Sequence, residues 1–99
     1  MTTLKRLELW YESHYNGDWE HEHGIRIDTL DNPGWTVDIA LTGTGLENKF
    51  FKPMKTQRSE ANWIHCFIQN NCFCIRCGPL NLEKGLIQFL GWVEIHVGT

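Results

Sequence analysis

Residues 25–41, IRIDTLDNPGWTVDIAL, decide the fold of this 99-residue chain. Apolar and polar side chains alternate on both sides of the central DNPG, and a period of two is typical of strands with one buried face. Pro33 presets the second position of a type II turn, and Gly34 accepts the positive φ of the third. The segment therefore predicts a β-hairpin.

The register of this hairpin follows from its side chains. The predicted pairs are Thr29 with Trp35, Ile27 with Val37, Ile25 with Ile39 and Arg26 with Asp38. This register keeps the apolar side chains on one face, whereas a four-residue loop mixes the two faces along the whole ladder. We therefore predict a five-residue loop from Leu30 to Gly34.

A second hairpin is predicted from Trp63–Gln69 and Cys72–Cys77, which flank Asn70-Asn71. Asn tolerates positive φ better than most residues, so this pair suits a two-residue primed turn. One face of the hairpin then gathers Ile64, Cys66, Ile68, Phe73, Ile75 and Cys77. The reverse face carries Trp63, His65, Phe67, Gln69, Cys72, Cys74 and Arg76.

Helices are predicted at both ends of the chain. Residues 3–16 place apolar side chains at steps of three and four, and Asn16-Gly17 supplies a stop signal. Asn81 can cap a last helix with Glu83 in its first turn, and this helix has an apolar face formed by Leu82, Leu86, Phe89, Leu90 and Val93. Residues 93–97 also alternate like a strand, so the end of this helix stays open.

A weaker strand is predicted over residues 49–56, followed by a polar loop over residues 57–61. Pro53 cannot donate a ladder hydrogen bond, which places this strand at an edge or a bulge. The element order predicts an α+β fold with an N-terminal helix, about five antiparallel strands and a C-terminal helix, both helices packing on one face. We expect a single domain over residues 1–99.

Composition excludes several classes of function. Nine Lys and Arg against twelve Asp and Glu give a net charge of -3, so we expect no nucleic-acid partner. Apolar runs are far shorter than the ~20 residues of a membrane span, and the first ten residues lack the apolar core of an export signal. We expect no membrane partner and a cytoplasmic location. No Gly-rich phosphate-binding loop or nucleophile elbow is present, so we expect no cofactor.

The four cysteines, Cys66, Cys72, Cys74 and Cys77, are enough for a zinc site. The predicted hairpin splits them between its two faces, which favours buried, reduced thiols. Cys77 also precedes the last helix, and a helix N-terminus lowers a thiol pKa. Thiol or sulfur-transfer chemistry at Cys77 is therefore kept as an alternative.

His21 and His23 form an H-x-H pair beside Glu20 and Glu22. On a strand both histidines would share one face and reach one metal ion, but two ligands are too few alone. We interpret the segment as the entrance to a strand, with the carboxylates on one side and the histidines on the other. A metal-dependent enzyme built on these histidines is part of the alternative.

Three stretches of the first half are distinctive: Gly17-Asp18-Trp19-Glu20-His21, Gly24-Ile25-Arg26-Ile27 and Thr29-Leu30-Asp31-Asn32-Pro33-Gly34-Trp35. They resemble the signature of the immunity protein 53 family from bacterial polymorphic toxin systems. Trp63, Cys66 and the helix after Asn81, with Phe89 and Trp92, also resemble the family. The resemblance implies a small cytoplasmic antidote that binds a protein toxin and blocks its active site or substrate path. It implies no catalytic residues.

We therefore expect a stoichiometric inhibitor whose partner is a cognate toxin domain. Aromatic anchors and an acidic rim are expected to bind it: Trp19, Glu20, Glu22, Asp31, Asp38, Trp63 and Phe67. A third class is a homodimeric structural protein that buries its aromatic sheet face against a second copy.

Overall fold

A computed structural model of the chain describes residues 1–97, with the side chain of residue 97 left out. Its elements are α1 (Thr3–Glu12), α2 (Trp19–Glu22), β1 (Ile25–Leu30), β2 (Gly34–Ala40), β3 (Met54–Gln57), β4 (Trp63–Gln69), β5 (Cys72–Cys77) and α3 (Leu82–Val97). The five strands form one antiparallel sheet in the order β1-β2-β5-β4-β3. The predicted α+β architecture is confirmed.

The predicted pairs of the first hairpin are confirmed, and β4 and β5 pair in the register that the predicted faces of the second hairpin require. Asn70 and Asn71 have φ values of 53° and 59°, as a primed two-residue turn requires. In the first hairpin Leu30 also pairs with Gly34, so the loop contains only residues 31–33. The expected type II role of Gly34 is wrong, because this residue begins β2. A Cβ here would overlap the carbonyl oxygen of Cys77, so glycine lets β2 approach β5.

The core lies on the sheet face that α3 covers. Val37, Ile39, Phe73 and Ile75 are fully buried there, and α3 contacts β4 and β5. The first helix packs against α3 in turn, so the two long helices stabilise the same side of the sheet.

The first helix ends at Glu12, four residues before the predicted stop. The Ser13 hydroxyl donates to the Trp10 carbonyl at 2.6 Å and closes the last turn. Asn16 instead lies just before α2, and its side-chain oxygen accepts the backbone N–H groups of Asp18 and Trp19, each at 2.9 Å. The predicted strand entrance over residues 19–23 is therefore wrong, since residues 19–22 form a helical turn.

The last helix continues through Val97, so residues 93–97 are helical and do not form a strand. Asn81 occupies the predicted capping position, and its backbone carbonyl accepts the N–H of Gly85. Its side chain turns to the sheet, where it accepts the N–H of Trp63 at 3.2 Å and donates to Asn62 at 3.0 Å. This side chain therefore ties α3 to the start of β4.

The predicted weak strand is confirmed as an edge but is shorter than expected. It begins at Met54, directly after Pro53, and pairs with β4 at the edge of the sheet. Gln57, predicted in the following loop, is its last residue. In residues 1–97 no helix is both long and apolar enough to cross a membrane.

Candidate functional site

The sheet face turned away from α3 carries a group of aromatic and charged side chains. We call it the open face and define it by Arg26, Asp38, Trp63, His65, Phe67, Cys72, Cys74 and Arg76. Strand alternation places these residues on one side because their neighbours in the sequence point into the core. Trp63, His65 and Phe67 are each only half-buried.

Aromatic rings form the centre of the open face along β4. The His65 and Phe67 ring centroids lie 4.6 Å apart, and Arg76 Cζ lies 5.7 Å from the Phe67 centroid. A guanidinium at this distance is attracted to the ring face. Trp63 lies at the start of β4 and lines a shallow cavity of about 440 Å³ with Asn32, Lys55, Gln57, Glu60 and His65.

An ion pair fixes the position of Arg76. Its Nη1 lies 3.0 Å from Asp38 Oδ1 and donates as well to the carbonyl oxygens of Ile75, at 3.0 Å, and Val37, at 3.4 Å. Arg26 is opposite Asp38 in the β1–β2 register. The two arginines therefore compensate the charge of Asp38. This residue orients the Arg76 side chain and adds little negative potential to the open face.

The other predicted acidic residues lie outside the strands of the open face, but Glu22 lines a small cavity with Arg26 and Asp38 of that face. Asp31 is exposed in the β1–β2 turn, and Glu22 is exposed on α2. Glu20 accepts the backbone N–H groups of Asn16, at 2.8 Å, and Gly17, at 2.7 Å. These hydrogen bonds lower the pKa of the Glu20 carboxyl, and the one from Asn16 has the largest effect. The Glu20 side chain thereby fixes the backbone just before α2.

Trp19 was predicted as an aromatic contact for the partner, but it lies in the core with 5% of its surface exposed. Its ring packs against Trp10 at 5.8 Å and His14 at 5.9 Å between centroids. Because residues 19–23 alternate like a strand, the sequence did not predict that Trp19 packs in the core. A partner could touch little of this side chain, and Trp19 does not belong to the open face.

The cysteines lie on both faces, as predicted, and all four are free. Cys66 and Cys77 are fully buried in the core. Burial raises the pKa of the Cys66 thiol, and that of Cys74, to about 12, and it raises the pKa of Cys77 as well. Because the thiolate is the nucleophile, a buried Cys77 with a raised pKa does not fit thiol catalysis.

The histidine pair does not form a shared face. His21 lies on the helical turn α2 and His23 follows it, and positions two apart on a helix point in different directions. Residues 1–97 contain no cluster of three His, Cys, Asp or Glu side chains that could hold a metal ion.

One surface was missed from the sequence. Phe50, Ile87 and Ile95 are exposed beside one another along the outer side of α3. The apolar face predicted for this helix is the one that packs on the core, and Ile87 and Ile95 lie outside that face.

The fold and the open face define a small α+β protein with a surface suited to contact with another protein. Residues 4–94 match the Immunity protein 53 family, and the chain belongs to this family. No curated protein and no solved structure is significantly similar to it. The family match confirms the resemblance found in the sequence.

Proposed function

We propose that this protein is a cytoplasmic immunity protein that binds a cognate toxin of a bacterial polymorphic toxin system. It neutralises the toxin by covering the active site or substrate path, without catalysis of its own. Membership in the Immunity protein 53 family supports the class of function. The open face supports a mode of action through surface contact.

The observation that carries the proposal is the row Trp63, His65 and Phe67 on a sheet face that no helix within residues 1–97 covers. An antiparallel sheet can leave one face in water, but that face then normally carries polar side chains. Aromatic rings are enriched instead at protein interfaces, where burial adds large contact areas at small entropic cost.

Trp63 and Phe67 are the proposed anchors of the complex. Phe67 contacts Arg76, which Asp38 holds in place, so the anchor and its charged neighbour are ordered before a partner arrives. Preorganised side chains lose little entropy on binding. Glu22 and Asp31 lie outside this centre and are exposed, where their charge can steer a basic partner.

A protection experiment tests the proposal. The upstream reading frame is sequenced first, and if it encodes a large secreted protein, the C-terminal domain of that protein is co-expressed as the toxin with wild-type protein or with a Trp63→Ala, Phe67→Ala double variant. We expect the wild type to rescue growth and to co-purify with the domain, and the double variant to lose both properties while keeping its circular dichroism spectrum.

Leu80→Ala is the matched control, because Leu80 is 92% exposed and lies between β5 and α3, outside the open face. It should protect like the wild type. A double variant that protects equally well would show that the open face does not carry the function. Absence of any complex with the domain would contradict the proposal itself.

A further inference from the structure

The strand β1 forms one edge of the sheet, and its outer side pairs with no other strand of residues 1–97. It is six residues long and its register with β2 is continuous, whereas the opposite edge strand, β3, has four residues and follows Pro53. Native proteins usually shorten or interrupt an exposed edge, because its free N–H and C=O groups can bind another strand. The β1 edge carries no such interruption.

The free backbone groups of this edge belong to alternate residues. The carbonyl oxygen of Gly24 accepts the N–H of Ala40 at 3.1 Å, so the position just before β1 is bonded to β2. In an antiparallel ladder, positions bonded to the neighbouring strand alternate with positions whose N–H and C=O groups point away from it. The even-numbered positions of β1 therefore bond to β2. Ile25, Ile27 and Thr29 present their N–H and C=O groups at the free edge.

Side chains are accessible on both faces of the edge. Arg26 and Asp28 are exposed on the side of the open face. Ile27 and Thr29 are exposed on the side of the helices. Ile27 exposes 43% of its surface, although it lies opposite the fully buried Val37. The helices therefore do not cover the outer side of β1, and they leave room for a further strand.

The sequence of the edge is complementary to itself in antiparallel orientation. If Ile27 pairs with Ile27 of a second copy, Arg26 of each copy lies opposite Asp28 of the other. Ile27 is then a hydrogen-bonded pair, and the outward groups of Ile25 bond to those of Thr29. The pairs of Arg26 with Asp28 are of the other kind, in which the Cα atoms lie about 4.5 Å apart and the side chains are close. Opposite charges meet twice across a twofold axis, as a self-complementary interface requires.

Both charged side chains are available for this contact. No ion pair in the described part of the chain involves Arg26 or Asp28. Asp38, which lies opposite Arg26 on β2, is paired with Arg76 at 3.0 Å. Asp28 lies opposite the uncharged Thr36. A second copy can therefore add two ion pairs without breaking an existing one.

We propose that β1 binds β1 of a second copy of this chain in antiparallel orientation, with the twofold axis at Ile27. The two five-stranded sheets become one continuous sheet. The helices of both copies lie on one side of it, and the two open faces lie next to each other on the opposite side. Because one strand from each copy makes the contact, the association is weak and reversible.

Paired charge variants test the dimer. Arg26→Asp places carboxylates opposite each other across the axis, and Asp28→Arg does the same with guanidinium groups. In sedimentation velocity over a range of concentrations, each variant should associate at least about tenfold more weakly than the wild type. An equimolar mixture of the two variants restores both pairs of opposite charge and should associate like the wild type. Both variants keep a net negative charge, so general attraction between unlike proteins does not explain such a recovery.

Lys84→Asp and Glu12→Arg are the matched controls, because they reverse exposed charges on the helices. Alone or mixed, they should associate like the wild type. Three results would overturn the proposal: a wild type that stays monomeric at every concentration, variants at Arg26 and Asp28 with wild-type affinity, or a mixture of these two variants that stays monomeric although both keep the wild-type circular dichroism spectrum.

Amide hydrogen exchange locates the interface in the wild type, without any substitution. In dilute protein the outward N–H of Ile27 should exchange rapidly, whereas the N–H groups of Arg26 and Asp28, which bond to β2, should be protected. At concentrations at which the protein is dimeric, the N–H of Ile27 should become protected as well. A dimer in which exchange at Ile27 does not depend on concentration would place the interface elsewhere and contradict the proposal.

Two further outcomes identify another occupant or another interface. If the wild type is monomeric and the N–H of Ile27 becomes protected only when the toxin domain is added, the toxin supplies the added strand and the dimer is wrong. If a dimer is lost in Trp63→Ala but retained in Asp28→Arg, the interface is the open face and the proposed pairing of β1 is wrong.

Discussion

Gly85 of α3 lies directly against Ile75 of β5: a Cβ at position 85 would stand 2.6 Å from Cγ2 of Ile75. Ile75 is fully buried and β-branched, so its methyl group cannot move aside at low cost. This glycine therefore sets the distance between helix and sheet. Gly91, six residues later, faces open space.

The two glycines should respond oppositely to alanine. Gly91→Ala is expected to stabilise the fold by about 1 kcal/mol, the usual gain in helix propensity. Gly85→Ala has the same gain but overpacks the core, which costs about 1–3 kcal/mol, so we expect a net loss of up to about 2 kcal/mol. Urea unfolding at low protein concentration measures both free energies. Stabilisation by both variants would show that α3 is free to move away from β5.

Acid should destabilise the protein through His14. Burial lowers the pKa of this imidazole below its ordinary value of 6.5, since the ring packs 4.6 Å from Trp10 and 5.9 Å from Trp19 between centroids. As the pH falls through 6.5, the unfolded chain takes up this proton before the folded one, so the free energy of unfolding falls. The loss ends once the pH is below the folded-state pKa.

Thermal unfolding at several pH values measures this effect. His14→Gln should flatten the pH dependence below pH 6.5, and His21→Gln, on an exposed histidine, is the matched control. An unchanged slope in His14→Gln would contradict the assignment. Glu20 acts in a different window, because its lowered pKa matters only as the pH falls below its ordinary value of 4.5.

Native thiols should react slowly. Cys66, Cys74 and Cys77 are buried, and burial raises the pKa of all three. At pH 8 these groups are protonated, so an aromatic disulfide reagent should label at most the half-buried Cys72 quickly, and all four thiols after unfolding. Rapid labelling of Cys77 in the folded protein would instead favour the thiol enzyme. A Cys77→Ser variant identifies the reacting group.

Reversal of the exposed acidic charges should slow toxin association. Glu22→Lys combined with Asp31→Lys removes negative potential without breaking the bonds of Glu20 or the Asp38–Arg76 pair. We expect a lower association rate constant with a weaker dependence on salt, and an almost unchanged dissociation rate constant. Stopped-flow mixing over a salt series measures both. Faster association of the variant would show that the toxin surface is acidic.

The sheet was predictable from the sequence because each hairpin buries one face. A shift of one residue in either register would place charged side chains such as Arg26 or Arg76 in the core, so the alternation alone fixes the pairing. The open face followed directly, since Trp63 and Phe67 must point away from the buried residues of β4.

The segment between α1 and β1 was not predictable from the same pattern. Residues 19–23 alternate like a strand, but the hydrogen bonds that the side chains of Asn16 and Glu20 accept from backbone N–H groups impose a helical turn and bury Trp19. The side chain of Asn81 was also not predictable, because it accepts the N–H of Trp63 in place of a local helix cap. In both places the local structure is decided by hydrogen bonds that cannot be inferred from the apolar periodicity or from the residue propensities.

The rate at which the toxin complex dissociates tests the central claim most directly. Trp63→Ala and Phe67→Ala, measured singly against the cognate toxin domain by surface plasmon resonance, should each raise the dissociation rate constant at least about tenfold, or about 1.4 kcal/mol. Leu80→Ala should leave it unchanged. Dissociation as slow as the wild type in both aromatic variants would contradict binding through the open face.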